Sequence, residues 1–156
     1  MLRGVQVFVS GMAVAAVMLA GATAAQAQDA AAAAQPAAPV LPLEGDAAIV
    51  TILIKPDKTA DFEAVLNKLK ESLAKSEKPE RKQQAAGWKV FKSSQMAQGN
   101  AVYIFLISPV VKGQEYDLTR LIAEVFPVEV QEVFAKYKDA FAGRAITSLN
   151  SLMTMQ

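Results

Sequence analysis

The chain has 156 residues, 53% of them apolar and 20% charged, with no Cys and no His. That composition supplies a hydrophobic core for one domain and excludes a disordered acidic or basic tail protein. It also excludes disulfides, thiolate or imidazole metal and haem ligation, and the Ser-His and Cys-His catalytic constellations.

The first 27 residues have the form of a secretory signal peptide. Arg3 is followed by an apolar run from Val5 to Ala20, and small residues at Ala25 and Ala27 give an A-x-A site for cleavage between Ala27 and Gln28. The run contains Ser10 and Gly11 and is shorter than the roughly 20 apolar residues of a membrane span. A periplasmic or secreted product with no stable membrane insertion after cleavage is therefore expected. Loss of Arg3 lowers the formal charge from +1 to 0, so nothing recommends nucleic acid as a partner. Residues 55–92 nonetheless carry ten bases against six acids, the pattern of a solvated helix face or of an anionic-ligand or membrane-surface patch.

Residues 28–45 are Ala/Pro-rich, with Pro36, Pro39 and Pro42 preventing a continuous helix, and read as a flexible spacer before a domain over 46–156. Residues 47–55 (AAIVTILIK) form a β-branched apolar strand stopped at Pro56. Thr59 and Asp61 open an amphipathic helix of about 17 residues, with Phe62, Val65, Leu66, Leu69 and Leu73 on one stripe. Residues 87–95 and 101–108 form a hairpin turning at Gln98-Gly99-Asn100 and ending at Pro109.

A second helical region begins near Tyr116 or Asp117, is broken at Pro127, and resumes through Val130, Val133, Phe134, Tyr137 and Phe141 to a C-cap at Gly143. The tail, residues 145–156, reads as a closing strand, because Thr, Ser and Asn are poor helix formers. The predicted order is βαββαβ: an α+β, ferredoxin-like fold with a four-stranded antiparallel sheet and its helices on one face. Strands 49–54 and 101–107 are apolar on both faces, so a second subunit or a ligand must cover the side away from the helices.

Several features together resemble the dimeric α/β-barrel superfamily, and within it the antibiotic biosynthesis monooxygenase-type domains. They are the strand running into Ile54-Lys55-Pro56-Asp57-Lys58, the helix opening Asp61-Phe62-Glu63, the Gly87-Trp88 strand paired with Val102-Tyr103-Ile104-Phe105, and the Phe-Pro break in the second helical region. The resemblance covers residues 46–155 and implies a homodimer whose two sheets pair around a cavity. Its haem-degrading members use an Asn, a Trp and a His; here no His exists and the first strand holds no Asn, so the resemblance does not extend to haem chemistry.

Trp88, Phe91, Tyr103 and Phe105 are the candidate ligand-binding residues: aromatic surface for a small apolar or aromatic ligand, with the Tyr103 phenol available to a carbonyl or anion, or else plain core or dimer interface. Asp117 is expected to cap a helix. The pairs Arg81/Lys82 and Lys89/Lys92 suit either surface charge or an anion, and Glu124, Glu129 and Glu132 a solvated helix face. No catalytic set, metal site or cofactor is expected. An exported small-molecule-binding or structural homodimer is the leading expectation. The alternatives are a cofactor-independent oxygenase or isomerase in which Tyr103 or Trp88 orients an aromatic substrate, and an envelope-associated interaction module.

Overall fold

A computed structural model describes residues 38–155. The expected signal peptide, its cleavage site and most of the spacer lie outside these residues. The α+β domain lies within the unit formed by residues 36–156.

Eight elements follow in chain order: β1 (Ala47–Ile54), α1 (Thr59–Lys75), α2 (Pro79–Gly87), β2 (Trp88–Lys92), β3 (Ala101–Ile107), α3 (Leu118–Ala123), α4 (Val130–Ala140) and β4 (Phe141–Leu149). The strands form one antiparallel sheet in the order β2-β3-β1-β4. The β2-β3 hairpin turns where expected, with Gln98 and Gly99 both at positive φ and Ala97 bridged to Asn100. Along β1 burial alternates strictly, and Ala48, Val50, Ile52 and Ile54 meet the core-facing residues Tyr103, Phe105 and Ile107 of β3. Phe62, Val65, Leu69 and Leu73 of α1, Leu118, Leu121 and Ile122 of α3, and Tyr137 and Ala140 of α4 join them in one cluster.

Helix α1 matches its predicted stripe, but Thr59 does not cap it. A 3-10 turn over Pro56–Lys58 feeds directly into the helix, and its N-cap position, Lys58, makes no side-chain capping bond. Asp117 caps α3 as expected, accepting from the Thr119 and Arg120 N–H groups at 3.0 and 3.1 Å. The Pro127 break also stands: α3 and α4 are separate helices. Gly143 is not a C-cap. Helix α4 stops at Ala140, and Phe141 and Gly143 belong to β4, where Gly143 pairs with Leu53. Competition from the long ladder with β1 ends the helix earlier than its apolar spacing suggests, and β4 accordingly ends at Leu149.

Two elements depart from the sequence reading. Helix α2 buries Arg81, Gln84 and Gly87 and no large apolar side chain, so it carries no hydrophobic period. The final part of the expected spacer, residues 38–45, is packed on the domain as a strap. Leu43 is 1% exposed within the core cluster, and the Tyr116 N–H donates to the Leu41 carbonyl at 3.1 Å. Gly45, at φ 83°, then turns the strap into β1, where a Cβ would lie 2.6 Å from the Leu149 carbonyl oxygen.

Candidate functional site

The pleat separates the four aromatic candidates. Trp88 pairs with Ile107, Phe105 with Val50 and Tyr103 with Ile52, all on the helix-covered face, whereas Phe91 pairs with Ile104 on the opposite face. Trp88 packs against Phe105 and Tyr116 with ring centroids 5.6 and 5.5 Å apart, and Tyr103 meets Phe62 edge-on at 4.8 Å. Three of the candidates are thus core. Phe91 stands alone, 49% exposed. The Trp88 Nε1–H is buried and has no hydrogen-bond partner among the described residues.

The Tyr103 hydroxyl emerges at the side of the sheet and donates to Glu63 Oε1 at 2.7 Å, and Lys92 Nζ donates to the same oxygen at 2.8 Å. Lys92 and then Tyr103 hold the Glu63 carboxyl below its ordinary range. Burial, and then donation to Glu63, push the phenol up. The phenol therefore stays protonated at neutral pH with its proton committed to a carboxylate, an arrangement that locks α1 to β2 and β3.

A second cluster lies between α2, α3 and the strap, around a cleft of about 890 Å³. Arg81, whose side chain is 6% exposed, makes a two-point pair with Glu124, Nε to Oε2 at 3.0 Å and Nη2 to Oε1 at 2.7 Å. Its Nη1 donates to Gln84 Oε1 at 2.6 Å and to Gln114 Oε1 at 3.2 Å. Arg81, read from the sequence with Lys82 as surface charge or an anion contact, is instead a buried tie. Lys78 Nζ also reaches Glu124 at 3.2 Å, and Arg120 Nε lies 3.9 Å from Glu115. Every cation lining the cleft thus faces a carboxylate, Lys78 and Arg81 sharing Glu124, while Glu80 in the same lining has no ion-pair partner among the described residues.

Glu115 carries the other half of this network. Its carboxylate accepts the N–H groups of Val40, Leu41, Tyr116 and Asp117 at 2.7 to 3.0 Å, while Gln84 Nε2 donates to its backbone carbonyl at 2.8 Å. Burial works to raise its pKa, but the four backbone donors outweigh that and hold it low. Neither Arg81 nor Glu115 offered a sequence signal beyond Pro79 and Glu80 at a helix start. Glu129 and Glu132, the remaining helix-face carboxylates, pair with Lys68 and Lys136, each at 2.7 Å. No group of three metal-ligating side chains occurs among the described residues.

The other side of the sheet is unlike both clusters. Across it run two registers: Phe91, Ile104, Thr51 and Ala145 in one, and Lys89, Leu106, Ile49 and Thr147 in the next. Val102, Leu53 and Gly143 form a third. None of these residues belongs to the core cluster, and Lys89 is the one charge among them. The surface is therefore an apolar ridge over β2 and β3 that falls to Gly143, Ala145 and Thr147 over β4 and rises again at Leu149, the partner of Ala47. No helix among the described residues is long and apolar enough to cross a membrane. No family model, curated protein or solved structure matches the chain.

Proposed function

We propose that this protein is an exported, ferredoxin-like homodimer that joins two sheets through their open faces and serves as a small-molecule-binding or structural module. The observation that carries the proposal is the apolar open face, with Phe91 49% exposed beside Ile104 and Leu106 and no helix of the described residues contributing to it. A sheet face this apolar loses free energy on association, at roughly 25 cal/mol per Å² of apolar area removed from water. The strand order β2-β3-β1-β4, with helices following β1 and β3, supports the ferredoxin-like reading. The leader pattern of residues 1–27 supports export. A small apolar or aromatic ligand held between the sheets would rest on Phe91 and its neighbours rather than on Trp88, Tyr103 or Phe105. The oxygenase or isomerase alternative draws no support from Tyr103, which is 2% exposed and bonded to Glu63.

Light scattering on the protein purified from cells tests the proposal. The expected result is a dimer that Phe91→Glu converts to monomer with its circular dichroism unchanged; a wild-type monomer at all accessible concentrations overturns it. Native mass spectrometry of the same sample reports any retained ligand.

A further inference from the structure

Beyond β4 the chain continues without regular secondary structure, and its large apolar side chains are exposed: Leu152 is 89% exposed, Met153 64% and Met155 87%. Three large apolar residues in so short a stretch form an apolar ribbon, and its root is fixed. The Ser151 N–H donates to Asp46 Oδ2 at 3.0 Å, and Asp46 N–H donates to the Leu149 carbonyl at 2.8 Å, which pins the ribbon beside the start of β1. Its own sheet does not shelter it. The open face carries its smallest side chains on its β4 side, where Ala145 and Thr147 stand beside Thr51 and Ile49, between Leu53, which leans over Gly143, and Leu149.

We infer that residues 151–155 of one copy lie on the β4 side of the open face of a second copy, so that each subunit clasps the other. This rests on the homodimer reading above and names what completes its interface. The sizes suit one another: flexible Leu and Met side chains over Ala and Thr, with Phe91, Ile104 and Leu106 left for contact between the sheets. Reach is sufficient too. Five extended residues span about 17 Å, and crossing four strands takes about 14 Å. Under two-fold symmetry both ribbons and both β4 sides are covered by the same contact.

Two measurements on the full chain test this. First, Leu152→Ser, Met153→Ser and Met155→Ser are combined, and the dimer dissociation constant is read by analytical ultracentrifugation. An increase of at least tenfold with unchanged circular dichroism is expected, and a constant within threefold of wild type overturns the clasp while leaving the homodimer intact. A wild-type monomer overturns the homodimer reading itself and the clasp with it. Second, a benzophenone amino acid replaces Leu152 in an isotopically light chain mixed with a heavy one. Adducts joining light residue 152 to a heavy peptide of β4 or β1 are expected; adducts confined to one chain overturn the clasp even if the serine variant folds poorly.

Discussion

Arg81 and Glu124, 43 residues apart, are joined by two parallel hydrogen bonds of 3.0 and 2.7 Å that tie α2 to the end of α3. Because Arg81 is almost fully buried, replacing it with Met strands three acceptors at once: Glu124, Gln84 and Gln114. The variant is expected to lose about 2–4 kcal/mol of stability, within the range for removing one partner of a buried pair. Urea unfolding followed by the fluorescence of Trp88, the only tryptophan, measures it directly. A loss under about 0.5 kcal/mol, typical of an exposed pair, would show that the tie is not buried in solution.

Glu115 makes stability depend on acid. Its pKa is lower in the folded state than in the unfolded chain, so its contribution is complete above the unfolded value and disappears as pH falls through the folded one. Glu115→Gln removes that contribution, with an expected cost of about 1–3 kcal/mol at pH 7 for weakening charge-assisted bonds to backbone N–H groups. The gap between wild type and variant should close as pH drops below about 4, near the ordinary glutamate pKa. Denaturant midpoints at pH 7, 5 and 3.5 give the comparison. Amide exchange at Val40 and Leu41 should quicken in the variant at pH 7, since both donate to this carboxylate.

Leu43 decides where the domain starts. At 1% exposure it fills core volume, and Leu43→Ala is expected to cost about 2–5 kcal/mol, as for other buried leucines. A residue in a flexible spacer would cost nothing measurable. Thermal or urea unfolding of this single variant separates the two.

Tyr103 titrates late. Its raised phenol pKa means that stability is intact below the unfolded value near 10 and falls as pH rises through the folded value. Burial raises Tyr137 in the same direction, so Tyr103→Phe should remove part of the alkaline loss rather than all of it. At pH 7 the same substitution removes one hydrogen bond to Glu63, an expected loss of about 1 kcal/mol. Absorbance titration of the two proteins near 295 nm isolates the missing phenol.

The strands were legible as short β-branched apolar runs closed by Pro56 and Pro109, and parity then tells which face each residue takes. Ile49 and Val50 differ by one position and therefore face opposite sides, and the same counting already separates Phe91 from Trp88. Counting likewise puts Tyr103 and Phe105 together, and the β2-β3 register then joins Trp88 to them and leaves Phe91 on the other face. Helix α1 was legible through Phe62, Val65, Leu69 and Leu73, and the α3 start through Asp117. What escaped is held by polar contacts between distant residues. Helix α2 owes its place to Arg81 and Gln84, and the strap to Glu115 acting across more than 70 residues, neither of which leaves a local period. The α4 to β4 boundary escaped for a related reason: Phe141 fits both a helical stripe and a strand, and only the pairing with Ile54 chooses.

The strap also determines how the domain carries load. Any pull applied through the residues before Ala38 reaches Val40 and Leu41 first, where the Glu115 carboxylate and the Tyr116 N–H hold the backbone, and then the Leu43 anchor. The ladder of β1 feels that force only after these have yielded. Eight strap residues, 38–45, can pay out up to about 28 Å of chain while the sheet stays whole. The strap is in this sense a mechanical fuse, and because its first clamp is an ionised carboxylate, acid sets the force at which it opens.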